Sequence, residues 1–491
     1  MPRFIRARFL LPISDEIGPA TRIEDGYVLW EGDRVVELGQ FFDRGVGERL
    51  IRAYGGALEV VGPTSVTRGP KAVAELVRHE GAILPGFVKA HGHDHEPPII
   101  GLVKDVPLTA WLDGVVNPFT GFMKKQQARL AELLGKSPQS VSYLKARVDD
   151  LYYGITTSMV HHCNHSKYYA DELVAAAEQA GTRMIVAVGG QDRHYADDLL
   201  DSVDQAIARL DAYTARHGDK PRVEIIPGPD QLFSNGPEMM KALKAWARQH
   251  GTLLHFHSSE EKNTTAWFRK TYGQTPIEYA NGLGILDERT VVAHQVHSTA
   301  EDLDILAETG TRIVHNPLAN TILGSGMPPV VELIERGIPV AISTDGSGSA
   351  DNQNILAAAR LASQYQKARY SRADFLPAQQ ALEMITIEPA RILGLDVGTL
   401  EVGRPADLVV IATDTPNMTP TRVTNVVENL IWASDGSEVR VVVGGGEVLR
   451  QGATFHTLDV EQILEDVTTL ATEFDEYQAA APALKGTGAN A

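Results

Sequence analysis

A few residue types able to hold a metal ion recur in this chain at strand-like positions. The stretch LPGFVKAHGHDHE (84–96) places His91, His93 and His95 at alternate positions after an apolar run. Alternate side chains of a strand share a face, so His91 and His93 would aim at one spot. TLLHFHSSE adds His257 and Glu260, VVAHQVH adds His294, and PVAISTDG ends near Asp345. Three imidazoles and a carboxylate make a site for a borderline divalent ion. Such an ion lowers the pKa of its water and supplies hydroxide near neutral pH. Each residue alone has a bland explanation, a hydrogen-bonded core histidine or an Asp-Gly turn. Their joint occurrence at the ends of four apolar runs favours one site.

The elements that must position them can be read from periodicity. Residues 1–81 read as short strands with turns, GYVLWEGDRVVELG being a hairpin signal, and 45–77 reads as an insertion with a short helix at 71–79. From Ala82, apolar runs alternate with amphipathic ones such as DELVAAAEQAG and AEDLDILAETG. Eight strand candidates alternating with helices imply parallel βα units, and the count matches an α/β fold of the (β/α)8 TIM-barrel type over 82–398. A doubly wound open sheet competes, but no GxGxxG follows an early strand. β texture returns at 399–455, so both chain ends are expected to build one small β-sandwich domain. A helix and a small, polar tail fill 456–491.

Composition narrows the partners. The formal net charge of -18 opposes binding to nucleic acid or an anionic membrane. The single cysteine, Cys163, allows no internal disulfide and suits a reducing cytoplasm. No run is apolar enough to span a bilayer. A cytoplasmic homo-oligomer acting on a small molecule is expected.

The motifs LPGFVKAHGH, HFHSSE, VVAHQVH, HNPLAN, STDGSGSADNQN and EPARILGLDVGTLEVGRPADLVV run in order from Leu84 to Val410. In them the chain resembles the amidohydrolase superfamily, in the branch of methylthioadenosine/S-adenosylhomocysteine deaminases, guanine deaminases and triazine hydrolases. The resemblance implies metal ligands His91, His93, His257 and Asp345, with Glu260 and His294 bracketing the reactive water. The chemistry agrees. Glu260 can move a proton between water, ring nitrogen and leaving ammonia. His294 can hydrogen-bond the attacking water, and the second oxygen of Asp345 can take its proton. No Lys ends VEIIPGPD, so a carbamylated lysine bridge is not expected. One divalent ion follows, zinc first, with iron or manganese as alternatives.

Other residues are placed around the substrate. His161 and His162, in VHHCNH, crowd a strand end, and one of them should face the pocket. His255 reads as a core histidine, and His297 as a support to the site. His95 and Glu96 are candidates for the pocket wall, and Asn316 resembles the family's HNP motif at the site floor. In GPDQLFSNGPE, Asp230 stands where relatives carry a substrate-contacting His. PLTAWLDGVVNPFT supplies Trp111 and Asn117, and has Thr120 where nucleoside deaminases carry a ribose-binding Glu. Those departures argue against methylthioadenosine or S-adenosylhomocysteine. They favour a nitrogen-rich heterocycle, deaminated through a metal-bound hydroxide. A triazine-, urea- or amide-type hydrolase with another leaving group is the alternative, and a non-catalytic scaffold the remote one.

Overall fold

A computed structural model describes residues 1–41, 44–69 and 75–480. Six strands come first: β1 (Pro2–Leu10), β2 (Ile23–Glu31), β3 (Arg34–Gln40), β4 (Glu59–Val61), β5 (Val66–Arg68) and β6 (Arg78–Pro85). Eight short ones follow: β7 (Phe87–Lys89), β8 (Ile155–His162), β9 (Arg183–Val188), β10 (Val223–Pro227), β11 (Leu254–Ser258), β12 (Thr290–His294), β13 (Arg312–His315) and β14 (Val340–Ile342). The last are β15 (Leu408–Ala412), β16 (Val439–Gly444), β17 (Glu447–Gln451) and β18 (Thr454–Phe455).

Strands from both chain ends form one ten-stranded mixed sheet, ordered β18-β17-β16-β15-β6-β1-β2-β3, with β4 on β1 and β5 on β4. Its pairing follows one connected network rather than two separate sheets. β15 runs antiparallel to β6, Val409 facing Leu84, and so ties the C-terminal strands to the N-terminal ones. LVVIA of β15 is buried throughout because both its faces are covered. Leu408 and Val410 pack with Ile5, Val28 and Trp30, whereas Val409 and Ile411 join the core beneath the parallel sheets. The 45–77 segment folds onto this sheet where it is described. Leu50, Leu58 and Val60 pack with Phe4, Tyr27 and Leu29. The helix read at 71–79 begins on residues outside the described ones and ends on Arg78 and His79, which belong to β6. The tail 481–491 also lies outside the described residues.

AILPGFVKAH, read as one strand, is two. Ala82–Pro85 completes β6, and only Phe87–Lys89 enters a parallel sheet. The chain crosses between them at Gly86, where a Cβ would lie 2.2 Å from Thr156 Oγ1. A residue with a side chain would have to push β8 away.

The eight middle strands form two four-stranded parallel sheets, β10-β9-β8-β7 and β11-β12-β13-β14. Helices separate successive strands, among them Ala170–Ala180, Val203–His217, Pro237–His250, Ala300–Thr309 and Ile355–Tyr370. The two sheets touch along both edges. A parallel bridge joins Gln231 to His257. On the other side Ser343 Oγ donates to His91 O at 2.7 Å and accepts from His91 N at 3.1 Å. Val88, Met159, Ile185, Ile226, Val291, Val314 and Ala341 fill one shared interior. The strand ends therefore open onto one place. The helix Asn117–Leu134 roofs it and is held down by the C-terminal helix Val460–Ala480, Phe119 and Phe474 meeting at 5.1 Å.

Candidate active site

His91 and His93 follow β7 directly, His257 lies in β11, His294 ends β12, and Asp345 follows β14. Their atoms converge. His91 Nε2 is 3.4 Å and His93 Nε2 3.5 Å from Asp345 Oδ1, and His93 Nε2 is 3.2 Å from His257 Nε2. Ligand atoms of His91, His93 and His257 lie within 4.8 Å of one another, as do those of His91, His294 and Asp345. His91 Nε2 is buried and has no hydrogen-bond partner. A buried polar atom left this way wants a partner, and a divalent ion suits the donors around it. Burial, reinforced by neighbouring imidazoles, holds the His91 and His93 rings well below the usual histidine pKa. Neutral rings are what a metal ligand requires. These residues fit a divalent ion.

The rings are aimed by their other nitrogens. His257 Nδ1 donates to the backbone carbonyl of Asp230 at 2.6 Å, and His93 Nδ1 to that of His161 at 3.2 Å. His91 Nδ1 lies 2.7 Å from His255 Nε2. The strand-end backbone is unusual too. Ser259, His294, Gln295 and Asp345 have φ of 52°, 79°, 54° and 70°. Left-handed conformations at residues other than glycine cost energy and cluster at functional sites. Gln353 braces the Asp345 turn: its amide donates to Asp345 O at 3.1 Å and accepts from Thr344 Oγ1 at 2.7 Å and Lys89 Nζ at 3.3 Å.

Glu260 sits beside this cluster, its Oε2 3.4 Å from His294 Nε2. Burial first, then the carboxylates of Asp345, Glu261 and Asp230, pushes the Glu260 pKa well above the ordinary range. Asn320 Nδ2 donates to His294 Nδ1 at 3.0 Å, which leaves the His294 proton on Nε2, facing Glu260 and Asp345. Burial brings His294 down to about 4.

All this opens into a cavity of about 870 Å³. Asp230, Trp111, Asn117, Thr120, His95 and Glu96 line it, as do Glu260, His294 and Asp345. Glu96 accepts from Gly348 N at 2.9 Å and Ser349 N at 3.0 Å, and burial, with Asp345 adding, raises it to about 8. His161 is buried beneath the cavity, its ring 4.6 Å from that of His257 and its Nε2 3.8 Å from Asp230 Oδ1. His162 is not at the cavity. It points outward from the same strand and pairs with Tyr143 Oη at 2.8 Å, as alternation along β8 requires. Asn316 is buried at the start of the helix Pro317–Ile322 and does not reach the cavity wall.

Sequence reasoning missed several residues. Tyr195, in the loop after β9, donates its hydroxyl to Asp230 Oδ2. Lys124, Lys125, Glu261 and Phe233 line the outer cavity. Only the rule that sites gather at strand ends pointed toward Tyr195, and nothing in the local sequence marked the lysines.

The profile of the amidohydrolase family matches residues 82–448. The chain is 27% identical over 464 residues to a 5'-deoxyadenosine deaminase of Methanothermobacter thermautotrophicus, covering 94% of this chain and 98% of that one. It is 33% identical over 406 residues to a 5-methylthioadenosine/S-adenosylhomocysteine deaminase of Haloarcula marismortui, covering 82% and 89%. Among solved structures it superposes on an adenosine deaminase of Xanthomonas campestris with bound zinc, with a TM-score of 0.82, 23% identity, and 96% and 98% of the two chains covered. That last likeness is one of fold.

Proposed function

Because this chain belongs to the amidohydrolase family, we propose that it hydrolyses a C–N bond and deaminates an aminated nitrogen heterocycle. The observation that carries this is the convergence of His91, His93, His257 and Asp345 beside the Glu260–His294 pair. The proposed frame is a closed (β/α)8 barrel running from β7 to about residue 398. Residues 1–81 and 399–455 supply its β-domain, and 456–491 the helix and tail. The touching edges of the two parallel sheets and their shared interior support closure.

His91, His93 and His257 through ring nitrogens, and Asp345 through Oδ1, would hold one ion. Zinc suits this nitrogen-and-oxygen set best. When bound, it supplies a nucleophilic water at neutral pH and Lewis-acid stabilisation of the developing charge. The protein's own groups handle the protons. Hydrolysis moves two from water: one ends on the ring nitrogen beside the attacked carbon, the other leaves with ammonia. Glu260, its proton held by burial, gives it to the ring nitrogen, takes over the water proton received by Asp345 and passes it to the amino group, and regains a proton from the adduct's hydroxyl as ammonia leaves. Asp345 Oδ2 accepts from the attacking water, and His294 donates Nε2–H to the new oxygen. Asp230 and Trp111 shape the heterocycle's place. A cytoplasmic homo-oligomer is the proposed physical state, which light scattering on the purified protein tests.

Ammonia release from zinc-loaded protein tests the reaction across adenosine-type nucleosides, free aminopurines, aminopyrimidines, pterins and aminotriazines. Release confined to one class identifies the substrate. Release of an alkylamine or chloride from triazines, with no ammonia from any heterocycle, would favour the alternative hydrolase.

A further inference from the structure

We infer that His255 is a positioning residue that sets the tautomer of His91 and so prepares it as a metal ligand. The inference rests on His91 being a ligand. It follows from a chain of hydrogen bonds whose directions are forced. His255 Nδ1 lies 3.0 Å from the backbone oxygen of Val291, and only an N–H can meet a carbonyl. The His255 proton is therefore on Nδ1. Its Nε2 is then a bare lone pair, because a second proton would make a buried cation with no carboxylate hydrogen-bonded to it.

That lone pair lies 2.7 Å from His91 Nδ1. One partner must donate, so His91 carries its proton on Nδ1. His91 Nε2 is left bare, and it is this nitrogen that faces Asp345 Oδ1 at 3.4 Å. The other tautomer of His91 would set two lone pairs against each other at 2.7 Å and turn an N–H toward the ion. Both residues are fully buried, so no solvent molecule can take over the acceptor role. Metal-binding histidines usually lean on a carboxylate, carbonyl or water. His93 and His257 follow that habit with backbone carbonyls. His91 has a second imidazole instead, itself fixed by the neighbouring strand β12.

Two measurements test this. In apoprotein with 15N-labelled histidine, the His91 and His255 signals are assigned by their loss in His91→Ala and His255→Gln. Both should be protonated at Nδ1. A His91 protonated at Nε2 overturns the inference. Zinc affinity by chelator competition is then compared with the melting temperature of each apoprotein. His91→Ala should lose tight zinc binding; if it binds as tightly as the unaltered protein, the ligand role itself falls, and this inference with it. His255→Phe keeps the ring but offers no acceptor, and should bind zinc about 10–100-fold more weakly. His255→Gln restores an acceptor oxygen and should recover most of that loss. Unaltered zinc affinity in His255→Phe, with His91→Ala impaired, overturns the positioning role alone. Equal weakness of the Gln and Phe variants assigns the effect to packing and also overturns it.

Discussion

Glu260 Oε2 stands 3.4 Å from His294 Nε2, and Asp345 Oδ2 stands 3.9 Å from that same nitrogen. One imidazole N–H thus faces two carboxyl groups of unlike surroundings. Glu260 is raised by burial and by the neighbouring carboxylates. Asp345 has backbone support from Gly346 N, which donates to its Oδ1 at 2.9 Å. Two carboxyl groups in unlike surroundings can divide the acid and base work between them.

Glu260→Gln should therefore keep the ion and lose turnover. The amide preserves shape but neither donates nor receives the shuttled proton, and such groups contribute roughly 10²–10⁴-fold. Metal analysis alongside kcat on the identified substrate checks this. Near-full activity would mean another group carries the proton.

His257→Ala should lose the ion instead. It removes a ring whose Nε2 is 3.2 Å from that of His93 and whose orientation comes from Asp230 O. Elemental analysis should give metal far below one equivalent. Chelation of the unaltered protein should abolish activity, and zinc should restore it. Full metal content in the variant would remove His257 from the ligand set.

Glu96 gives a pH prediction. Burial, with Asp345 adding, raises its folded pKa to about 8, above the ordinary 4.5 of a glutamate. The folded state therefore holds this proton more tightly than the unfolded chain does. Stability is fullest below the lower value and is lost as pH rises toward 8. Melting of the apoprotein between pH 5 and 8 should show that decline. Glu96→Gln should flatten it and melt higher than the unaltered protein at pH 8. An unchanged slope would show that Glu96 ionises normally.

The convergence of the site histidines with Asp345 was legible because the period of a strand and the rule of strand ends act locally. His91, His93, His257, His294 and Asp345 needed only their own segments to be placed. Long-range choices were not legible. Parity offered His161 and His162 equally, and only the packing of Tyr143 against His162 decided between them. His255 was correctly seen as buried, but its contact with His91 crosses from β11 to the end of β7. The break at Gly86 was hidden because a strand that changes sheets keeps its apolar texture. Burial on both faces in each sheet asks for the same residues.

That break carries its own prediction. Gly86→Ala places a methyl 2.2 Å from Thr156 Oγ1 and 2.6 Å from Thr156 Cγ2, and should cost about 1–3 kcal/mol. Thr156→Ala removes both atoms, so the double variant should regain much of the loss in a denaturant melt. If Gly86→Ala unfolds at the same denaturant concentration as the unaltered protein, the close crossing is not constraining.

Asp230 serves the site in two separable ways. Its backbone carbonyl orients His257, and that contact survives any side-chain change. Its carboxylate lines the cavity and takes the Tyr195 hydroxyl on Oδ2. Oδ1 faces the His257 ring at 3.4 Å, close enough to the cluster to accept from a heterocycle's N–H. Asp230→Ala should thus keep its metal and lower kcat/KM about ten- to a hundredfold, the worth of one hydrogen bond to a charged group. Tyr195→Phe leaves the acceptor but frees it to swing, so it should raise KM by less, again without metal loss. The competing role is capping of the turn before the helix Pro237–His250. The turn residues, however, bond to Gln231 rather than to the Asp230 side chain: Ser234 Oγ and Asn235 Nδ2 both donate to Gln231 O at 2.9 Å. Measuring kinetics, metal and melting temperature for Asp230→Ala, Asp230→Asn and Tyr195→Phe separates the two. Unchanged kinetics with a lowered melting temperature would leave Asp230 as a structural residue only.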